Sequence, residues 1–383
     1  MSRKLFVLAG EVSGDMHAAG AIAELLKARP DIGVFGIGGE QLRALGADLM
    51  YDTREMSIMG FVDVMKHAWF LRKVIHDLQD RVRREKPAVA FLVDYPGMNL
   101  MMAGFFRKIG IPVIYYISPQ VWAWKERRVK AIRRNVDRML VIFDFEVEFY
   151  RRRGMAAEFV GHPVPERLSA ISFPPAEQFR QDHGIAPEAK LVGLLPGSRR
   201  QEVAYLLREM LDAARLLHRK YRAVFLLSRA PELPEECFSI LSDYPELSIA
   251  ECSAYEAMQY SDLAVVASGT ATLEALCFGV PMIVVYKTGW LNYQIGRRVV
   301  KLKNISLANI VSEGLEGGGQ LVPELLQDDA QAGEIFRSAS DILDDPELAG
   351  KMRNGLLEAR ARLGRSSPSS KIAGILKEYF KKE

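Results

Sequence analysis

The sequence predicts an α/β protein with two domains, each built on a doubly wound parallel sheet, that face a cleft and precede a helical tail. The length of 383 residues exceeds what a single core of about 250–300 residues holds. Short apolar runs alternate with longer helical patterns, which is typical of parallel βαβ units. This alternation occurs twice, and prolines interrupt it between residues 161 and 175. We therefore expect domains at 1–165 and 166–327 and a tail at 328–383.

The individual elements follow from the same alternation. The first series predicts strands at 4–9, 32–37, 88–94, 111–117 and 138–142, with helices at 14–29, 60–86 and 97–109. The second series predicts strands at 190–195, 222–228, 247–250, 262–266 and 281–285, each followed by a helix. From residue 328 onward the pattern is helical only. Such a tail must pack on one of the two domains.

Composition excludes several classes of protein. An apolar share of 49% with 26% charged residues is that of a globular protein, not of a disordered or fibrous one. The three cysteines form no C-x-x-C pair, so neither a disulfide framework nor a zinc cluster is expected, and a reduced cytoplasm fits best. Since no run of 18 apolar residues occurs, any membrane contact should be peripheral. The six histidines show no ligand spacing, and we expect no metal and no cofactor.

Basic residues cluster although the formal charge is only +3. Taken singly, each cluster reads as a solvated helix face. Taken together, they suit an anionic lipid surface or substrate. No nucleic-acid motif accompanies them, so nucleic acid is not an expected partner. The clusters lie at 81–86, 125–134, 151–153 and 297–303.

Polar residues follow the first predicted strand at a Gly-rich turn that opens a helix. Glu11 and Asp15 would repel a phosphate, so the turn favours sugar hydroxyls, contacted by Ser13 and Gly14, or proton transfer. The alternative is that Ser13 and Asp15 only cap the helix. This turn supplies two candidate catalytic carboxylates.

A third candidate, Asp94, ends a buried strand, where desolvation would raise its pKa and suit it to act as a general base. The alternative is a cap for the helix that begins near Gly97. Asn99, one turn later, is a candidate sugar ligand. The next strand ends in a loop whose Ser118, Gln120 and Trp122 favour carbohydrate, although core packing readily explains one of its tryptophans.

Two turns in the second domain each follow a strand and open a helix, which is a suitable arrangement for a nucleotide diphosphate. For the second turn, a capping box is the alternative explanation. In the second turn, Glu274 would accept hydrogen bonds from ribose hydroxyls. The candidate residues are Gly197, Ser198, Arg199 and Glu202 in the first turn and Ser268, Gly269, Thr270, Thr272 and Glu274 in the second.

Residues 56–71 carry more apolar side chains than one core-facing helix stripe needs. This surplus resembles an interfacial membrane anchor or an acyl-chain groove, and a helix buried on several sides is the alternative. The candidate membrane or acyl residues are Met59, Phe61, Met65, Trp69 and Phe70.

These motifs together resemble the lipid A disaccharide synthases, which are bacterial inverting glycosyltransferases with two Rossmann-like domains in the GT-B architecture. Their order and spacing also match, from the first strand past residue 327. The matching stretches are 9–15, 118–124, 161–163, 194–199, 268–274, 307–309 and 322–327.

The resemblance implies transfer of 2,3-diacylglucosamine from its UDP form to the 6-hydroxyl of 2,3-diacylglucosamine 1-phosphate (lipid X), which gives a β-1,6-linked disaccharide phosphate and UDP. It places the diphosphate and ribose at Arg199 and residues 268–274, with Asn309, Glu324 and Gln327 nearby. It assigns the acceptor and the cytoplasmic surface of the inner membrane to the first domain. It also implies a tail that crosses back to the first domain, either within one chain or between the subunits of a homodimer.

One departure from the family pattern affects the choice of base. Many relatives have Asp-x-Pro-Asp-Phe-Asn where this chain has Gly97 in place of the second aspartate. The base is then expected to be Asp94, Glu11 or Asp15. The rival readings are another UDP-sugar enzyme of this architecture, such as a 2-epimerase or a peptidoglycan-precursor glycosyltransferase, and a non-catalytic binding protein.

Overall fold

A computed structural model describes residues 3–57, 64–289, 293–294, 302–364 and 367–380, with the backbone alone at 57 and 64–68. The chain divides into two compact units. The first contains Met1–Glu166 and Leu363–Glu383, and the second contains Arg167–Arg362.

The first unit is a parallel α/β sheet with strand order β3-β2-β1-β4-β5-β6-β7. Its strands are β1 (Lys4–Ala9), β2 (Gly33–Gly38), β3 (Asp48–Asp52), β4 (Val89–Val93), β5 (Val113–Tyr116), β6 (Arg138–Val141) and β7 (Glu158–Phe159). Its helices before the division are α1 (Val12–Ala28), α2 (Glu40–Ala44), α3 (Thr53–Ser57), α4 (Val64–Glu85), α5 (Pro96–Lys108), α6 (Val129–Asn135), α7 (Asp144–Arg151) and α8 (Pro163–Ser169), which contains the point of division.

The second unit is also a parallel α/β sheet, with strand order β10-β9-β8-β11-β12-β13. Its strands are β8 (Leu191–Leu195), β9 (Val224–Ser228), β10 (Ile249–Cys252), β11 (Leu263–Ala267), β12 (Met282–Tyr286) and β13 (Glu324–Leu326). Its helices are α9 (Ala176–Asp182), α10 (Arg200–Tyr221), α11 (Ala254–Tyr260), α12 (Thr270–Phe278), α13 (Leu307–Glu313), α14 (Ala332–Asp344) and α15 (Pro346–Ala361). The chain then returns to the first unit with α16 (Pro368–Lys377).

All ten predicted strands are present, with ends within two residues of the predicted ones. Three further strands, β3, β7 and β13, were not predicted from the sequence. Each is an edge strand and half-exposed, so it carries acidic residues and lacks the continuous apolar run of a central strand. The apolar signal therefore identifies all the central strands but only one of the four edge strands, β10.

The predicted tail at 328–383 is divided between the two units. Helices α14 and α15 belong to the second unit, where α14 packs on α10 and buries Ile335, Ala339 and Ile342. Only the part from Leu363 onward belongs to the first unit. Helical periodicity shows that a helix has an apolar face, but it does not show which sheet that face covers.

Helix α16 packs on α1 and completes the core of the first unit. Ile372 and Leu376 are fully buried in the same cluster as the central strands. The two helices approach closely at Gly20, where an added Cβ would lie 2.7 Å from Ser369 Oγ. An ion pair of 2.7 Å between Arg138 and Glu378 fixes the residues that follow α16. The C-terminus is thus an integral part of the first unit.

We predict that Leu376→Ala destabilises the first unit by about 2–5 kcal/mol, because it leaves a cavity in this core. Urea unfolding followed by tryptophan fluorescence measures this, since Trp69, Trp122 and Trp124 of the four tryptophans belong to the first unit. The exposed neighbour Lys377→Ala is the matched control and should leave the midpoint unchanged. Equal midpoints for the two variants would show that α16 does not stabilise this unit.

Candidate active site

The loops that follow β1, β4 and β5 form the candidate site of the first unit. These three strands are neighbours and parallel, so their carboxyl ends lie at one edge of the sheet. Beside this edge is a cavity of about 240 Å³. It is lined by Asp94, Pro96, Ile117, Ser118, Pro119, Gln120, Val121, Trp122, Trp124, Lys125, Arg128, Ile142, Phe143 and Glu146.

Asp94 lies in a strained turn at the end of β4. Asp94 and Tyr95 have φ angles of 48° and 43°, a left-handed conformation that non-glycine residues rarely adopt. The carbonyl oxygen of Asp94 accepts hydrogen bonds from Asn99 Nδ2 at 2.5 Å and from the Tyr115 hydroxyl at 2.6 Å. The Tyr95 ring covers Gly10, where any Cβ would lie 2.4 Å from it. These contacts hold the turn in place, and Asn99 stabilises its backbone.

Burial dominates the electrostatics of Asp94. Burial and, to a lesser extent, the nearby Glu11 charge together raise the pKa of the carboxyl group to about 6, against the opposing effect of a hydrogen bond with the Tyr95 backbone. Helix α5 begins at Pro96 with no side-chain cap, so Asp94 does not have the capping role of the alternative reading. A carboxylate with this pKa, lining a cavity, can accept a proton near neutral pH.

Asp15 has a different environment, and its contacts argue against a catalytic role. Its side chain is only 3% exposed, and its two oxygens accept hydrogen bonds from three backbone amides at the start of α2. These donors are Gly39 at 2.6 Å, Gln41 at 3.0 Å and Leu42 at 3.3 Å. Asp15 caps α2, whereas the capping alternative had placed it on its own helix. Glu11 and Asp94 are the carboxylates whose contacts fit a base better.

The other residues of the first turn are more accessible. Glu11 is exposed and precedes α1, and its side chain makes no capping hydrogen bond there. Ser13 is also exposed, whereas Gly14 is buried close to the backbone of β4. Glu11 is therefore available to influence Asp94 or a substrate, and Ser13 is available as a sugar ligand.

A buried glutamate that sequence reasoning missed organises the loop after β5. Glu146 is 1% exposed and accepts hydrogen bonds from Trp122 Nε1 at 3.1 Å and from the amides of Ile142 and Phe143 at 3.2 and 3.1 Å. Burial raises its pKa to about 7, against the effect of these donors. The detectable signal was a glutamate three residues into a helix that follows a strand, which is the pattern of a capping box.

The remaining predicted residues of this loop differ in accessibility. Ser118 is buried and its hydroxyl is 2.7 Å from the Tyr150 hydroxyl, while Gln120 is exposed at the cavity. Trp122 is half-buried against Phe145, whereas Trp124 is 42% exposed. Packing thus accounts for one tryptophan but not for both.

In the second unit, the turn after β8 is closed by one of its own residues. Glu202 accepts hydrogen bonds from the Ser198 and Arg199 amides at 3.1 and 3.2 Å and pairs with the Arg199 guanidinium at 3.2 Å. Gly197 has a φ of 107°, and a Cβ there would lie 2.3 Å from Glu202. This is the capping box of the alternative reading, found here at the first turn. A diphosphate must compete with Glu202 for these amides, while the Arg199 side chain is 82% exposed.

The turn after β11 is open instead. Gly269 precedes α12 with a φ of 154°, and among the described residues no atom lies within 4 Å of a Cβ added to it and no side chain caps the helix. Ser268 is half-buried and Thr270 is exposed. Thr272 is fully buried and donates to the Gly269 carbonyl at 2.8 Å, so its role is structural. The first amides of α12 are therefore more accessible than those of the turn after β8.

Glu274 is already engaged within the second unit. Its Oε1 accepts hydrogen bonds from the Arg167 guanidinium and from the Tyr255 hydroxyl, the latter at 3.1 Å. Arg167 was not identified from the sequence, and its buried Nε has no hydrogen-bond partner among the described residues. A ribose contact is left to the second oxygen of Glu274.

Three predicted donor residues make internal contacts that shape loops. Asn309 is fully buried and donates to Glu324 Oε1 at 2.8 Å, and Glu324 in turn accepts from the amides of 305 and 306. Gln327 both accepts from and donates to the Thr288 backbone, at 2.7 and 2.9 Å. These residues fix the loops beyond β12 and β13, so the contacts favour positioning over direct ligand binding.

The predicted apolar surface is only partly described. Met59 and Phe61 lie outside the described residues, and Met65 is described by its backbone alone. Trp69 on α4 is 74% exposed. Phe70 is half-buried, edge-on to Tyr51 with ring centroids 5.9 Å apart. Within the described ranges, no helix is long and apolar enough to cross a membrane, and no group of three or more potential ligand side chains could hold a metal ion.

The pKa of Asp94 predicts how its replacement changes stability with pH. Its folded value of about 6 lies above an unfolded value of about 3.9, so folding favours the protonated form. The protonated Asp94 side chain therefore contributes its full stability to the fold below a pH of about 4, and this contribution is lost as the pH rises to about 6. Asp94→Asn should therefore stabilise the first unit at pH 8 by up to about 2–3 kcal/mol, with the gain disappearing near pH 4.

Urea unfolding at several pH values, followed by tryptophan fluorescence, measures this difference. The exposed Asp341→Asn in the second unit is the control and should not move the transition of the first unit. A gain for Asp94→Asn that is the same at pH 4 and pH 8 would contradict the assigned pKa.

Comparisons with known proteins find matches along almost the whole chain. A family model described as lipid-A-disaccharide synthetase matches residues 5–371. A lipid-A-disaccharide synthase of Geobacter sulfurreducens is 38% identical and covers 100% of this chain and 98% of its own length. A synthase of the same name from Myxococcus xanthus is 38% identical over 98% of this chain and 97% of its own length.

Solved structures support the fold. A UDP-GlcNAc 2-epimerase of Neisseria meningitidis bound to UDP-GlcNAc aligns with a TM-score of 0.61 at 14% identity, over 98% of this chain and 99% of its own. A calicheamicin glycosyltransferase aligns with a TM-score of 0.61 at 12% identity, over 99% and 98%. At such low identity these likenesses show the fold alone. The full-length matches show the family, and the chain belongs to the lipid-A-disaccharide synthetases.

Proposed function

We propose that this protein is an inverting glycosyltransferase that transfers 2,3-diacylglucosamine from UDP-2,3-diacylglucosamine to the 6-hydroxyl of 2,3-diacylglucosamine 1-phosphate. The products are the β-1,6-linked disaccharide phosphate and UDP. The observation that carries this proposal is the family match along residues 5–371. Relatives at 35–38% identity over almost the whole chain carry the synthase name, so the epimerase alternative is not favoured.

Asp94 is the group best suited to deprotonate the acceptor hydroxyl. It lines the cavity, its pKa of about 6 leaves it ionised at neutral pH, and its backbone is held by Asn99 and Tyr115. Once the proton is on the Asp94 carboxylate, the acceptor oxygen attacks the anomeric carbon and UDP leaves. General-base help of this kind is typically worth about 10²–10⁴-fold in rate.

The open turn at Ser268–Thr270 is suited to the leaving diphosphate. Amides at the start of a helix point toward an anion and carry the positive end of the helix dipole. Gly269 leaves the approach to these amides free of side-chain atoms. The exposed Arg199 guanidinium supplies a positive charge that further stabilises the charge developing on UDP.

The reaction is tested by measuring UDP release and disaccharide formation with and without the acceptor, in detergent. We expect release that depends on the acceptor, and a folded protein that binds UDP but forms no disaccharide would overturn the proposal. In this assay Asp94→Asn should lower kcat about 10²–10⁴-fold.

Glu11→Gln distinguishes the two remaining base candidates. Since the Glu11 charge helps to raise the pKa of Asp94, its removal should shift the acid limb of the pH–rate profile below pH 6, with a much smaller loss of kcat. If Glu11→Gln instead abolishes turnover and Asp94→Asn does not, Glu11 is the base.

We further propose that the first unit contacts the cytoplasmic surface of the inner membrane through the start of α4. Trp69 is 74% exposed, and Arg72 and Lys73 beside it are also exposed. An exposed aromatic ring next to cations is the composition of an interfacial anchor for anionic lipid. Association of two copies of the chain remains a prediction of the resemblance.

Trp69→Ser should weaken binding to vesicles that contain anionic phospholipid by about tenfold, because burial of the ring is lost. Co-sedimentation with such vesicles measures the change. Leu348→Ser, which removes a side chain that is 39% exposed in the second unit, is the control and should bind as the parent protein does. Unchanged binding of Trp69→Ser would exclude this anchor.

A further inference from the structure

Two cations lie at the cavity that contains Asp94, and the reaction chemistry above does not use them. Lys125 and Arg128 both line this cavity. Both approach the Trp124 ring, with Lys125 Nζ 4.0 Å and Arg128 Cζ 6.0 Å from its centroid. The ring is 42% exposed and forms a platform against which the two positive charges are held.

Neither cation is neutralised by a carboxylate within hydrogen-bonding or ion-pair distance in the described part of the chain. Glu126 lies between them in sequence but pairs with Arg153 instead, at 2.8 Å. Lys125 itself has a φ of 56°, a strained conformation at the start of the short turn that carries Arg128. The backbone is thus strained at Lys125, where two positive charges without a paired carboxylate line one cavity.

The same cavity is lined by both acidic and basic groups. Asp94 and Glu146 line it together with the two cations. Burial and then the Asp94 charge raise the pKa of Tyr115, whereas the Arg128 guanidinium lowers it, so both charges act on one buried hydroxyl. A ligand with a hydroxyl to be deprotonated and a separate anionic group would match both the acidic and the basic groups of the cavity.

We propose that Lys125 and Arg128 form a phosphate-monoester subsite that binds the 1-phosphate of the acceptor sugar. The inference rests on the proposed function, which supplies a sugar 1-phosphate as acceptor. Guanidinium and ammonium groups bind phosphate oxygens through charge-assisted hydrogen bonds. Recognition of the phosphate by Lys125 and Arg128 leaves the sugar hydroxyl to Asp94, and it makes the phosphate a determinant of acceptor specificity.

The test compares two acceptors, 2,3-diacylglucosamine 1-phosphate and 2,3-diacylglucosamine without the phosphate. The variants are Lys125→Gln, Arg128→Gln and the double replacement. Arg127→Gln is the matched control, because Arg127 is an exposed cation in the same turn that does not line the cavity. Turnover of each acceptor is measured together with its equilibrium binding and that of UDP, all in the full-length protein.

Each single replacement should raise KM and Kd for the phosphorylated acceptor about 10- to 100-fold, and leave both constants for the unphosphorylated acceptor and UDP binding unchanged. Arg127→Gln should match the parent protein with both acceptors. Equal weakening of the two acceptors would overturn the inference and assign the cations to lipid-surface binding or to loop structure. Weakened UDP binding would also overturn it and assign them to the donor diphosphate.

The binding arm separates this inference from the proposed function. If the parent protein forms no disaccharide but binds the phosphorylated acceptor through Lys125 and Arg128, the proposed reaction fails and the phosphate subsite stands. If it turns over both acceptors and the variants do not distinguish them, the reaction stands and the subsite fails.

Discussion

Parallel pairing of the strands is the constraint on which the rest of each unit depends. A parallel ladder sends every strand in the same direction, so the loops that follow β1, β4 and β5 all emerge at one edge of the sheet. Helices cover both faces, and the strands are buried on both sides. Polar residues placed directly after these strands therefore meet one another at the boundary between a dry core and solvent. At that boundary, partial burial and neighbouring groups shift the pKa of a carboxyl group.

The turn at Asp94 shows how the core sets that chemistry. Asp94 and the residue after it both have positive φ, and the carboxyl group of Asp94 lines the cavity. Hydrogen bonds from Asn99 and Tyr115 hold this backbone, and the missing side chain at Gly10 leaves room for it. Burial then raises its pKa to about 6. Glu146 undergoes the same effect nearby, but backbone amides and an indole occupy its oxygens. The two carboxyl groups of this cavity thus differ in role because their hydrogen-bond partners differ.

The sequence allowed the central strands and the two sheets to be predicted, because apolar alternation reports burial on both faces, and it placed the loops of the candidate site after those strands. It did not reveal the roles of individual acidic residues. Asp15 and Asp94 both follow buried strands, yet Asp15 receives three amide hydrogen bonds from α2, an element that the pattern did not predict. Likewise Glu202 and Glu274 matched a ligand-binding pattern but are bonded within the second unit. Such partners are set by tertiary packing and leave no local signal.

Internal bonding of this kind also separates the two turns of the second unit. Glu202 places a carboxylate on the Ser198 and Arg199 amides, so an incoming phosphate replaces one anion by another and gains little from those donors. In the described part of the second unit, no atom lies within 4 Å of a Cβ added at Gly269 and no side chain caps α12, so a phosphate there would not have to displace a carboxylate. The net free energy of a hydrogen bond is the difference between its old and new partners. The turn with fewer internal contacts is therefore the one that we propose for the diphosphate, although both turns share the same sequence pattern.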